Sequence, residues 1–230
     1  MSAPASTRSA RGKVRRMVAA LEARFGEPTA PGRSDLIGSF VRTILSQNTS
    51  DANSGPAYDR LREKFPTWEA VARARPRSIA SAIRRAGLAD QKAPRIRDFV
   101  RWVKDQFGEY DLSALRRMPD DEIIETMVAV KGIGIKTVTV VMLFSLGRDV
   151  FPVDTHVHRV CRRVGLVPET ATAEQTYERM APLVPDGKAL SLHVNLLRLG
   201  RTICRARAPN CPGCPLRRVC AYAKARAESG

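Results

Sequence analysis

Apolar residues recur along this chain at spacings of three and four, and no segment alternates with period two for long enough to make a strand. Val14, Met17, Val18, Leu21 and Phe25 share one helical face, so a first helix is expected from about Arg11 to Phe25, stopping at Gly26. Pro28, Pro31 and Gly32 make a linker. Asp35 then caps a second helix that carries Leu36, Ile37, Phe40, Val41, Ile44 and Leu45 on one side. Further helices are predicted over 52–65, 78–85 and 92–107, with a short turn after Thr67; Asp111 and Asp120 or Asp121 read as caps of two more. An apolar run then breaks at Lys131-Gly132-Ile133-Gly134, restarts at Ile135 and ends near Gly147. Past an isolated Asp154, the residues Val157, Val160, Cys161 and Val164 define another face, and Thr172 to Gln175 fits a capping box. The pattern predicts an all-α protein.

The break at 131–134 is chemically the most suggestive part of this pattern. Glycine lets both hairpin positions take backbone angles closed to other residues, and it exposes amides beside the next helix's N-terminus, where a phosphate can bind. Lys136 lies in the first turn of the restarted helix, and Asp154 follows eighteen positions later. An ordinary lysine is protonated at neutral pH; desolvation and a positive helix end favour the free amine, so this location suits a Schiff-base lysine. A tight turn with a solvated lysine satisfies the same residues.

Composition narrows the partner. A net charge of +16 and a pI near 10.5 point to a polyanion, nucleic acid before an anionic membrane surface, and 31 of the 39 basic residues are arginine. No stretch of eighteen apolar residues exists, so no membrane-spanning helix is expected. The opening MSAPASTRSARGKVRRM lacks the apolar centre of a secretory signal and reads as a disordered basic arm over residues 1–10. Cys204, Cys211, Cys214 and Cys220 form C-x6-C-x2-C-x5-C. Four thiolates in so short a segment suit an iron–sulfur cluster or an all-cysteine zinc site, and spacing alone does not choose between them. Cys161, on an apolar face, is expected to be an inert buried thiol, and the three histidines are not spaced as metal ligands.

GIGIKT followed by VDTHVHRV resembles the helix-hairpin-helix and the Gly/Pro-rich-loop aspartate of the endonuclease III family of DNA glycosylases. The resemblance runs from about residue 11 to 224 and implies roles residue by residue. Lys136 would attack C1′ of a damaged nucleotide and Asp154 would lie across the pocket, with His156 beside it. The segment Ser46-Gln47-Asn48-Thr49-Ser50-Asp51 is similar to the family's Ser-Ala-Gln-x-Thr-Asp, which puts the residue that fills the flipped base's place at Asn48; Gln47 stands where the family has a small residue. Gly87 to Ala93 resembles the loop whose leucine wedges into the duplex, here Leu88. Read without the resemblance, Asn48 is a polar helix end and Leu88 a hydrophobic cap contact. Two departures are Val130-Lys131 for the family's Leu-Pro and Ile135 for a basic residue.

The cysteine spacing is also the family's, implying a 4Fe-4S cluster on Cys204, Cys211, Cys214 and Cys220, with Arg205 and Arg207 offered to phosphates and Arg217 and Arg218 offsetting the cluster's negative charge. Gly132 and Gly134 would contact the DNA backbone. The implied architecture is two helical lobes flanking a DNA-binding cleft: a six-helix barrel over 34–148, and a cluster lobe joining 11–33 to 149–230. The implied activity is that of a bifunctional glycosylase/AP lyase of base excision repair acting on oxidised pyrimidines. A monofunctional glycosylase of the same superfamily and a non-catalytic hairpin DNA-binding protein are the alternatives. The implied partner is double-stranded DNA with damaged bases or abasic sites, expected to be met by a monomer in the cytoplasm, at the nucleoid in a bacterium.

Overall fold

The computed structural model describes residues 7–30, 32 and 35–228, and no strand occurs among them. Twelve α-helices are described: α1 Thr7–Phe25, α2 Leu36–Ser46, α3 Asp51–Lys64, α4 Trp68–Arg73, α5 Pro76–Ile83, α6 Ala89–Phe107, α7 Asp120–Val128, α8 Ile135–Val141, α9 Thr155–Val164, α10 Ala173–Met180, α11 Ala189–Thr202 and α12 Ala221–Glu228. The chain divides into two compact units, one formed by Gly32–Leu146 and the other by the segments before and after it.

In the central unit, α2 is the buried helix. Asp35 Oδ1 accepts from the Gly38 amide at 2.9 Å, and Leu36, Ile37, Phe40, Val41, Ile44 and Leu45 are all buried. Phe40 meets Phe99 of α6 with ring centroids 5.3 Å apart, in a tilted geometry that aromatic pairs favour. Thr67 caps α4, accepting from the Ala70 amide, so the expected short turn is a helix of its own. In the flanking unit, α1 packs on α11 and α11 on α9. Val14, Met17 and Leu21 are fully buried, as are Leu192, Leu196 and Leu199. Lys188 holds Glu22 at 3.0 Å and Glu27 at 3.1 Å, and Asn195 Nδ2 donates to Gly26 O, fastening the first helix to the C-terminal part of the chain. The expected capping box is present, with Thr172 and Gln175 bonded reciprocally.

Several element boundaries differ from expectation, for identifiable reasons. α1 begins at Thr7, inside the arm expected to be disordered, because Ala10 already belongs to the core; residues 1–6 of that arm lie outside the described residues. α6 begins at Ala89 and not Lys92: its first three residues are not buried, so apolar periodicity starts a turn late. Asp120 and Asp121 lie within the first turn of α7, behind Pro119, where their charge suits the helix's positive end without capping it. Asp111 precedes a single 3-10 turn, Ser113–Arg116, and accepts from Ser113 Oγ. After α8 the chain widens into a π turn over Met142–Leu146. No described helix is long and apolar enough to cross a membrane.

Candidate functional site

The hairpin joins α7 to α8. Val130 and Ile133 are buried and anchor it, with the Ile133 amide donating to Val130 O at 3.0 Å. Gly132 has φ +89, a conformation L side chains rarely adopt, and a Cβ there would press on Arg95 Cδ at 3.2 Å. Gly134, in contrast, is extended (φ −99, ψ 170). The expectation that both positions need glycine for their backbone angles therefore holds only for Gly132. Gly134 serves as N-cap of α8 with no side-chain cap bond, and a Cβ would meet nothing within 4 Å.

Lys136 follows in the first turn of α8 and is exposed, so the protein alone does not desolvate its amine as the sequence reading supposed. Beside it, the buried Thr137 accepts from Gln47 Nε2 at 3.4 Å. That contact brings the end of α2 to the helix carrying Lys136; in the sequence Gln47 stands only as a departure from the family, and nothing in its spacing signals the contact.

Asn48 and Leu88 are both exposed and both in the left-handed region, at φ 55 and φ 50. Non-glycine residues held there cost about 1–3 kcal/mol each and cluster at functional sites. Leu88 is 47% exposed at the N-cap of α6. A hydrophobic cap contact would bury it; the structure instead presents a bulky apolar side chain to solvent on a strained turn.

The flanking unit carries the remaining candidates. Asp154 is the N-cap of α9, its Oδ1 accepting from the Val157 amide at 2.7 Å, so Oδ2 lies outside the cap bond. His156 Nδ1 pairs with Arg159 Nη2 at 3.0 Å. Burial, followed by the charges of Arg159 and Arg201 against that of Asp154, holds the His156 imidazole below its ordinary value, so it is neutral at neutral pH. Gly200 makes room for it, since a Cβ there would lie 2.8 Å from His156 Cβ. Cys161 is fully buried, and burial pushes its thiol up to about 12, the inert group expected.

None of the four C-terminal cysteines is in a disulfide. Burial pushes the Cys214 thiol up to about 11, and the neighbouring Cys204, Cys220 and Cys211 add to the rise, which places the four sulfurs in one locality. Among the described residues, however, no three Cys, His, Asp or Glu side chains are drawn together as around a single ion.

The charge near these thiols comes from an unexpected source. Arg163 Nη1 donates to Cys204 Sγ at 3.3 Å and to Arg205 O at 2.8 Å, and Nη2 donates to Ala206 O at 2.9 Å. Arg159 Nε adds a bond to Cys204 O at 3.2 Å. Arg217 and Arg218, expected to offset charge here, are exposed; the guanidinium bonded to a cysteine sulfur is that of Arg163, which lies forty-one residues from Cys204 in sequence. With the loop held from within, Arg205 and Arg207 point into solvent, and Ala208 takes φ 47.

An all-helical chain with a glycine hairpin, a lysine opening the next helix and a capping aspartate beyond it defines the helix-hairpin-helix class. Residues 41–186, more than half of the chain, match the HhH-GPD superfamily base excision DNA repair protein family, and the chain belongs to that family as an endonuclease III-like member. It is 31% identical over 189 residues to the endonuclease III of Thermotoga maritima, covering 82% of this chain and 84% of that protein. It is 36% identical over 166 residues to an Arabidopsis thaliana protein named as a DNA glycosylase, covering 72% of this chain but 57% of the plant protein; the chain thus spans little more than half of that relative's length. The fold matches that in a non-covalent endonuclease III–DNA complex with a TM-score of 0.80 at 24% identity, over 95% of this chain and 98% of that one.

Proposed function

We propose that this chain is a bifunctional DNA glycosylase and abasic-site lyase of base excision repair, with oxidised pyrimidines as its substrates. The observation that carries the reading is Lys136, an exposed primary amine in the first turn after the glycine hairpin. Leu88 enters the duplex, Asn48 takes the place of the extruded nucleotide, and Gly132 and Gly134 let the hairpin backbone approach a phosphate with no side chain between. Closure of DNA over the hairpin desolvates the Lys136 amine, which the free protein leaves in water. A bond forms from Nζ to C1′ while the bond from C1′ to the base breaks, and the electron pair departs with the base, which takes up a proton. Opening of the sugar ring leaves a Schiff base; loss of a C2′ proton then expels the 3′ phosphate. Asp154 stabilises the positive charge on the sugar and accepts the ammonium proton through the oxygen its cap bond does not use.

Cys204, Cys211, Cys214 and Cys220 would hold a 4Fe-4S cluster. When bound it would supply a structural cross-link, and Arg163 with Arg159 directs the loop between Cys204 and Cys211 so that Arg205 and Arg207 face phosphates. The test of the whole reading is borohydride trapping and base release on duplexes carrying an oxidised pyrimidine, an oxidised guanine, an alkylated adenine, a mismatched thymine or an abasic site. Adducts with the oxidised pyrimidine and the abasic site are expected. Base release without any adduct would make the enzyme monofunctional, and binding without either would leave a non-catalytic hairpin protein.

Two further results are expected. Neutralising Arg205 and Arg207 together weakens binding to all duplexes alike and flattens the log K against log salt slope by up to about two units, each phosphate contact contributing roughly 0.9; an unchanged slope means the loop does not touch DNA. Leu88→Ala or Asn48→Ala slows excision from a fully paired duplex while sparing strand cleavage at a pre-formed abasic site, where little is left to unpair. Equal losses on both substrates, with a lower melting temperature, would assign the two residues a structural part only.

A further inference from the structure

Lys92 is a lysine in the core of the central unit, 2% exposed. Its ammonium donates to Leu45 O at 2.8 Å and to Ala86 O at 2.9 Å, and its own backbone amide donates to Leu88 O at 2.9 Å. Both side-chain acceptors lie at helix ends. Leu45 is the penultimate residue of α2, three positions before Asn48, and Ala86 closes the 3-10 turn Arg84–Ala86, two positions before Leu88. Carbonyls at helix ends lack intrahelical donors, and the last turn of a helix is its negative pole, so one ammonium satisfies two such groups at once.

A buried ammonium whose acceptors here are neutral carbonyls is costly, and burial pulls the Lys92 amine below the ordinary lysine value. Methionine would fill the same space without that cost. What the ammonium adds is a fixed connection between two turns that are forty residues apart in sequence. They are also the turns in which, among the described residues of this unit, a non-glycine residue takes positive φ: Asn48 in one and Leu88 in the other. Hydrogen bonds inside a low-dielectric core are strong and directional, so a turn tied this way loses the freedom to swing.

We infer that Lys92 is a positioning residue: it ties the end of α2 to the turn before α6 and so holds Asn48 and Leu88 as one preset pair, ready to enter the duplex together. The inference rests on the reading of Asn48 and Leu88 as the residues that probe DNA. Two rigid side chains set in advance lose little freedom on insertion, whereas two loosely held ones must be ordered at the moment of extrusion.

Lys92→Met keeps the length and apolar stem and removes every donor. Amide hydrogen exchange at residues 48–50 and 87–91 is expected to accelerate by about tenfold relative to α3, as local opening becomes easier. Excision of the best substrate of the panel from a fully paired duplex should fall by about tenfold, while excision of the same lesion between flanking mismatches falls by less than about twofold. Combined with Leu88→Ala, the loss should be less than the product of the two separate losses, because Lys92 acts through Leu88.

Unchanged exchange at both turns, equal losses on the two duplexes, or multiplicative effects in the double variant would overturn the inference. If Lys92→Met does not fold, Lys92→Gln, which keeps amide donors on a shorter stem, is expected to show the same exchange pattern at smaller amplitude, and its absence would overturn the inference equally. The probing role of Asn48 and Leu88 fails on different data: their own alanine variants would then treat paired and mismatched duplexes alike, whereas the exchange measurement judges Lys92 without any catalysis.

Discussion

Lys136→Gln is expected to yield no borohydride-trapped DNA and to release base slower by about three orders of magnitude or more, the scale on which losing a nucleophile acts. Glutamine is polar and of similar reach but cannot form an imine. Because Lys136 is exposed, its replacement should leave melting within about 0.5 kcal/mol of the parent and cost DNA binding no more than one cation's share. The neighbouring control is Lys131, also exposed and on the other side of the hairpin glycine. Lys131→Gln should keep the adduct. Undiminished trapping in Lys136→Gln would move the chemistry to another amine.

The carboxylate can be tested apart from its part in folding. Asp154 caps α9, and asparagine is as good a cap as aspartate, so Asp154→Asn keeps the bond to the Val157 amide and removes only the charge. Turnover is expected to fall by about a hundredfold or more with unchanged melting and binding, in line with the loss of a positioned proton acceptor. Wild-type turnover in this variant would leave Asp154 a helix cap and nothing more.

Periodicity made the helices of both units legible, since the faces built on Val14, Phe40 and Val157 are core faces in the structure. The caps at Asp35 and Thr172 were legible too, because a cap is a local bond between residues three apart. Illegible were the connections made by long side chains across sequence. Lys92 reads as one more cation at a helix start, yet it is buried against carbonyls from two other segments. Arg163 reads as part of a basic helix end, yet it organises a loop forty residues later. Charge patterns suggest solvent, and only folding shows which charges are spent on backbone carbonyls. Positive φ at Asn48 and Leu88 is equally invisible beforehand, as neither residue type demands it.

The C-terminal cysteines carry the other large expected effect. Between Ile203 and Cys220 the chain has only turns and the short 3-10 turn Arg217–Val219, and Leu216 is its one buried apolar side chain before Cys220. Burial at that level cannot hold eighteen residues in one conformation against chain entropy of about 1–2 kcal/mol per residue. Bonds from Arg163 fix only the first turns after Cys204. In the proposed reading the rest is held by the cross-link that four thiolates would make through a shared centre, whose binding energy would then be folding energy. Purified protein should accordingly be yellow-brown with about four irons and four sulfides per chain. Cys214→Ser should lose both, and amide exchange across 204–220 should rise by about a hundredfold or more while α2 and α6 of the other unit stay protected. Duplex binding should weaken to the level of the variant lacking Arg205 and Arg207, since the loop that presents them has lost its frame. Colourless parent protein containing one zinc, or a Cys214→Ser variant with parental exchange in this segment, would remove the cluster from the account.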